Sequence, residues 1–386
     1  MDVQPEVKPF LEYDELIKLL TDRGMIMGDP LRAQRKLTQV GYYRLSGYFY
    51  PSRRYALDLE TGHRTVHSTF RANTKFNDVF EYYLMDKKMR TLLLDAIERI
   101  EVYFRTIISH EIGRISPLAH LDAKQFSKES LRATGKGPSF DSWHQKHNDL
   151  LASSKEDSIV HYRENERKIP IWVASEAWDF GCMSKFYSML NGSNQDLICN
   201  MLGVDNRKVI DNWLININGL RNRCAHHARV CNRPNPRNLL LPRLGYFNTL
   251  SLSNTACSKL YGMICVIWFL LKKIGPSSTW ISRVADVIDS KPDLPGLTYR
   301  SMGFSTEGFP RSLFPEISVT EKNKDICIVE RFDNDALSLE DGVLKIKETG
   351  IEMDQVQPLS SILERIIESS CDIEYVIRQK ADECKI

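Results

Sequence analysis

The sequence predicts a mainly α protein, and three observations carry that prediction. Apolar residues recur at helical intervals, most clearly Leu93, Ile97, Ile100, Phe104 and Ile107 at steps of four, three, four and three. Helix punctuation stands where such periods start and stop, with Pro30 opening one and Gly24 and Gly41 closing two. Strand-like runs are short and lie chiefly beyond Phe314. With 386 residues, the chain is long enough to bury a sizeable core in two or three structural units.

Taken in order, Asp14–Arg23 reads as a short helix with Leu16, Ile17, Leu19 and Leu20 on its apolar face. A second helix runs from Pro30 to about Val40. The aromatic cluster Tyr42–Pro51 surrounds Arg44; it suits base stacking, but reads better as packing of a helix pair against the main body. Arg53–Thr69 has no sustained period and is expected to be a loop or short hairpin. A long helix is expected from about Asn77 to Arg114. Beside its core stripe lie Glu98, Glu101 and Arg105, either a solvated face with i,i+4 pairing or groups supporting a catalytic His.

Ser116–Lys168 is polar and carries His120, His144, His147 and His161. His144 and His147 have chelating spacing on a helix, but no Cys or carboxylate pattern accompanies them, so no metal site is expected. Trp172–Trp178 reads as a helical segment ending near Phe180-Gly181, and Ser184–Leu190 and Arg207–Leu220 continue the helical pattern. Pro234, Pro236 and Pro242 then break the chain into a loop before an apolar helix at Cys257–Ile274. Ile326–Val329 and Val343–Ile346 read as strands and Ser360–Cys384 as a helix. Three regions result: 1–72, helical and aromatic; 73–314, the main helical domain; and 315–386, a small α+β extension.

Net charge is only +2, yet its distribution is uneven. Between Asp211 and Asp286 there is no acid, against seven Arg and three Lys, whereas Pro315–Ile386 holds seventeen acids and nine Lys and Arg. A basic working face and an acidic appendage follow. The nine cysteines form no CxxC pair and Met1–Phe10 lacks a secretory pattern, which fits a reducing cytoplasm. Leu260–Leu271, flanked by lysines, is too short to span a membrane.

Within the basic stretch stands Arg221-Asn222-Arg223-Cys224-Ala225-His226. Trp213, Ile217, Leu220 and Cys224 form an apolar stripe, so the segment is expected on a helix, with Asn222 and His226 stacked four apart on an exposed face. Cleaving RNA through its own 2′-hydroxyl needs a base, a charge-stabilising group and an acid. His226 can be base or acid but not both in one step, and Arg221 suits the phosphorane charge. Two motifs facing each other in a homodimer supply the missing imidazole. His227, about 100° round the helix, is expected at a surface or dimer contact and among the RNA-binding residues rather than in catalysis. Arg223, Arg229, Arg233, Arg237 and Arg243 are candidate phosphate contacts, and Tyr43 and Arg44 candidate base contacts.

Four stretches make the chain resemble the bacterial Abi family of abortive-infection proteins, the AbiD/AbiF-like group of the HEPN superfamily. They are Lys8-Pro9 with Arg23-Gly24, Gly41–Tyr48, Pro170–Tyr187 and Leu220–Arg233, with Met302-Gly303-Phe304 resembling a closing signature. The resemblance implies a HEPN-type helical bundle and an R-N-x-x-x-H active site at Arg221, Asn222 and His226. It further implies metal- and cofactor-independent RNA cleavage, a homodimer, and toxin–antitoxin or phage-defence behaviour under a small noncoding RNA. A non-catalytic RNA-binding regulator is the alternative.

Overall fold

The computed structural model describes residues 7–58, 61, 63–132, 139–315, 337–340 and 343–346. Residues 1–317 form one compact unit and 318–386 another. The first unit opens with α1 (Tyr13–Asp22), α2 (Pro30–Val40) and α3 (Tyr42–Phe49). A reciprocal capping box between Glu12 and Glu15 starts α1, and the Asp29 carboxylate caps α2 at the Leu31 and Arg32 amides. Gly41, at φ 86°, turns the chain directly from α2 into α3, a conformation that a Cβ would strain. The aromatic cluster is therefore a helix: Leu45, Tyr48 and Phe49 are buried, and Tyr43 points out. A hairpin follows, β1 (Arg53–Leu57) antiparallel to β2 (Arg64–Phe70), with Tyr55 opposite Val66.

The axis of the unit is α4 (Phe76–Gly113), about 57 Å long at 1.5 Å per residue. Leu93, Ile97, Ile100, Phe104 and Ile107 are all buried along it, and burying side chains of this size contributes about 1.5–3 kcal/mol each. Next come α5 (Lys128–Leu131), α6 (Phe140–Ser153), α7 (Asp157–Glu164), α8 (Ile171–Ala174), α9 (Phe180–Met189), α10 (Gly192–Leu202) and α11 (Arg207–Ala225). The set closes with α12 (Gly245–Leu250), α13 (Asn254–Cys257), α14 (Leu260–Ile274) and α15 (Trp280–Asp289). α3, α8, α10, α11, α14 and α15 all pack on α4. Wedged between α4 and α11, α14 is buried on nearly every side, which explains its apolar composition. Among the described residues no helix is long and apolar enough to cross a membrane.

Two expectations need correction, and a third holds in part. Phe180-Gly181 begins α9 rather than ending a helix, because the Asp179 carboxylate caps the Cys182 amide at 2.6 Å. The apolar helix is split, with α13 ending at Cys257 and α14 starting at Leu260. In the second unit, β4 (Val343–Ile346) pairs with β3 (Leu337–Glu340); 326–329 and 360–384 lie outside the described residues.

Candidate active site

One side of α11 buries Trp213, Leu214, Ile217, Leu220 and Cys224. Beside them, Asn212 and Asn216 fasten the loop that returns along the helix. Asn212 donates to the Asn238 carbonyl and accepts from the Leu240 amide, both at 3.0 Å, and Asn216 accepts from the Arg237 amide at 3.0 Å. Gly219 lets Pro236 ride against the helix, since a Cβ there would meet the proline ring at 2.5 Å.

The helix does not run through both histidines. It stops at Ala225, His226 is its C-cap, and His227 takes the left-handed conformation at φ 57°. The His227 amide bonds the Cys224 carbonyl (3.0 Å) and the Ala228 amide bonds the Arg223 carbonyl (2.8 Å), the paired bonds of a Schellman ending. Glycine usually fills that position; a side chain there costs about 1–2 kcal/mol. The His226 amide still bonds the Asn222 carbonyl at 2.9 Å, so the i,i+4 relation survives, whereas His227 leaves the helical path altogether.

Arg221 is half-buried and donates to Asn222 Oδ1 at 3.4 Å. Its charge acts on two carboxylates from distant elements, Glu101 of α4 and Asp179 at the start of α9. Burial pushes the Glu101 carboxyl above its ordinary value, against the opposing charges of Arg105 and Arg221. At Asp179 burial acts the same way but is outweighed by Lys146 and the Cys182 amide, so its carboxyl sits below the ordinary value. Lys146 Nζ lies 2.6 Å from Asp179, and Arg105 donates to Glu101 (2.9 Å) and to the Trp178 carbonyl (3.0 Å). The acids beside Arg221 are thus already matched by cations. Glu98 is exposed one turn before Glu101 and adds only its charge.

The remaining candidates divide. Arg44 donates to the His227 carbonyl at 2.9 Å, Arg229 to the Gly47 carbonyl, and Arg223 to the Pro234 carbonyl at 2.7 Å, so three of the arginines also fasten the turn. Arg44, His227, Arg229 and Arg233 share a pocket of about 400 Å³ beyond the helix end. Tyr43 is 76% exposed. Arg237 lines a separate groove along α11, and Arg243 lines neither cavity.

Sequence reasoning missed the latch beneath this turn. Buried Asp86 accepts from the Val230 amide (3.1 Å), the Cys231 amide (2.7 Å) and the Tyr48 hydroxyl (2.9 Å), and pairs with Arg90. The signal was present: Asp86 is an acid on the core face of α4, in line with Tyr82, Met89 and Leu93. Asp179 and Lys146 gave no local signal, because their meaning depends on which helices meet. His144 and His147 do share α6, but His147 Nδ1 accepts from Trp178 Nε1 at 2.9 Å, and among the described residues no group of three His, Cys, Asp or Glu is placed to hold a metal.

Fold and site together define a helical protein with a charged, solvent-open site where one core helix ends. The Abi-like protein family matches residues 35–232, from α2 through the turn after α11, and the chain belongs to that family, making it an abortive-infection-type protein. No match is found among curated proteins or among solved structures. The matched segment includes Arg44, Asp86, Glu101, Asp179, Arg221, Asn222 and His226; Arg233, Arg237, Arg243 and Met302-Gly303-Phe304 lie beyond it.

Proposed function

We propose that this protein is an endoribonuclease of a phage-defence or toxin–antitoxin system, cutting RNA at Arg221, Asn222 and His226 without a metal. The observation that supports it best is the setting of His226. It is exposed and seated over Asn222. Among the described residues its ring makes no hydrogen bond, while Arg221, one turn earlier, keeps its guanidinium out of any ion pair although its charge is felt by Glu101 and Asp179. One imidazole takes the proton of the 2′-hydroxyl, whose oxygen bonds to phosphorus. The bond from phosphorus to the 5′-oxygen breaks, and that oxygen receives a proton from a second imidazole. The products are a 2′,3′-cyclic phosphate and a 5′-hydroxyl. Arg221 stabilises the charge on the phosphorane. Each chain offers one such histidine, so the second comes from another copy across a two-fold axis. A small noncoding RNA is the proposed restraint.

The test uses single-stranded RNA in EDTA, with products analysed for cyclic phosphate. His226→Ala is expected to lower the rate by roughly 10²–10⁴-fold while RNA binding remains, and Arg221→Ala to do likewise. Wild-type cutting by His226→Ala would end the proposal. Binding without cutting by every variant, in protein freed of co-purifying nucleic acid, would favour the regulatory alternative. A monomer that cuts would remove the shared-site element.

A further inference from the structure

A groove of about 570 Å³ runs between α9 and α11, away from the pocket at the helix end. Its α11 wall presents Lys208, Asp211, Ile215 and Asn218, at steps of three, four and three, which is one helical face. The next positions on that face are Asn222 and His226. Asp211 lies about 22 Å along the helix direction from His226, a few nucleotides of extended strand.

The chemistry of the groove is mixed in a specific way. Of the four cations that line it, Arg207 is paired with Asp196, whereas Lys185, Lys208 and Arg237 reach it from three elements and make no ion pair among the described residues. Arg237 stands there because Asn216 holds its amide. Among these cations the Asp211 carboxyl makes no hydrogen bond among the described residues, and its Oδ1 is buried. Burial raises its pKa, and the Arg237 charge opposes that rise. Ile215 gives the floor an apolar patch. A carboxylate accepts only, so a matching ligand offers N–H donors, a flat apolar face and flanking negative charge. Guanine is the common base with two adjacent N–H donors on its pairing edge; adenine and cytosine offer one amino group beside an acceptor that the carboxylate repels.

We propose that this groove binds a guanine base of single-stranded RNA, with the outer carboxylate oxygen of Asp211 accepting from both its N1–H and N2–H and Lys185, Lys208 and Arg237 meeting adjacent phosphates. The inference rests on RNA as substrate and names a base preference upstream or downstream of the cut.

The test is fluorescence anisotropy of the full-length protein with labelled 2′-O-methyl oligouridylates, which have no 2′-hydroxyl to cleave. A strand bearing one guanosine is expected to bind about tenfold more tightly than all-uridine, adenosine- or cytidine-bearing strands. Asp211→Asn should bring the guanosine and uridine strands to near-equal affinity with its melting temperature monitored, whereas Lys208→Ala should weaken all strands alike. Equal binding of all strands by the wild type overturns the inference without needing any variant, as does an unchanged preference in Asp211→Asn. Displacement of the guanosine strand by 5′-GMP at micromolar concentration, with no preference among strands, would assign the groove to a free nucleotide and overturn the strand assignment. Cleavage is scored separately: RNA cut without guanine preference sinks this inference alone, and guanine preference without cutting sinks only the nuclease reading.

Discussion

Two groups of histidines in this molecule have opposite settings. His226 and His227 sit exposed on a turn at the end of α11. His120 and His147 are 1% and 2% exposed, with the His147 ring stacked 5.0 Å from Trp143 and bonded to Trp178. Burial pushes His147 down to about 3 and His120 to about 4, so both are neutral packing groups at ordinary pH. The same side chain exchanges protons with a substrate only where solvent and a ligand can reach it. The scaffolds differ as well: the turn hangs on a polar latch from Asp86, and the interior pair on aromatic contacts.

The largest structural effect is expected at the latch. Asp86→Asn leaves Arg90 buried without its counter-charge, and breaking a buried pair in this way costs about 3–5 kcal/mol. Urea denaturation measures it, and Arg90→Leu on the same background should restore part of the loss. Because the carboxamide keeps only one acceptor oxygen, it cannot serve the Val230 and Cys231 amides and the Tyr48 and Arg90 donors together, so the turn loosens and RNA cleavage by the folded fraction should fall too. Full stability in Asp86→Asn would mean that the turn stands without the latch.

At the interior pair the expectation reverses. His147→Phe leaves the Trp178 indole N–H buried without a partner, a cost of about 1–3 kcal/mol, yet cleavage per folded molecule should not change. Loss of cleavage there would erase the contrast between the two groups. The pH dependence carries a sign. Both imidazoles titrate below the ordinary 6.5, so the unfolded chain binds more protons than the folded one between pH 6.5 and about 4 for His120, or about 3 for His147. Their contribution is complete above pH 6.5 and is lost as pH falls through that window, with a slope of at most about 1.4 kcal/mol per pH unit for each group. Melting temperatures measured from pH 7 to 4 should fall less steeply in His147→Phe than in the wild type.

What was legible in the chain follows from range. α2 was readable to the residue because Pro30 and Gly41 act within one turn, and α4 to within one residue at each end because the apolar period read at Leu93–Ile107 continues along the helix. α11 was read as helix, but not its end, since no glycine marks the left-handed position that His227 occupies. Gly181 misled in the other direction: glycine commonly ends helices, while here Asp179 two residues earlier starts one. At the candidate site, Arg221, Asn222 and His226 are local in sequence and could be proposed from it. The charged surroundings of Arg221 could not, because Glu101, Lys146 and Asp179 converge from α4, α6 and α9 only once the bundle is packed.

The smallest effect sharpens the comparison within the exposed group itself. His227 holds a left-handed conformation that glycine adopts freely, so His227→Gly relieves about 1–2 kcal/mol of strain. Glycine also gains unfolded-state freedom, which takes back about 0.5–1 kcal/mol. The net expectation is a stabilisation of about 0.5–1 kcal/mol, a rise of roughly one to three degrees in melting temperature. The main chain of the turn is unchanged, so His226 keeps its place and cleavage should persist. RNA affinity should drop a few-fold, because the imidazole is removed from the pocket it shares with Arg44, Arg229 and Arg233. A natural chain that keeps a strained histidine where glycine would fit gives up stability for a side chain at that spot. If the variant melts higher and binds RNA as tightly as before, His227 contributes nothing to the site; if its cleavage falls as far as that of His226→Ala, the second imidazole of the reaction lies in the same chain and not across a dimer.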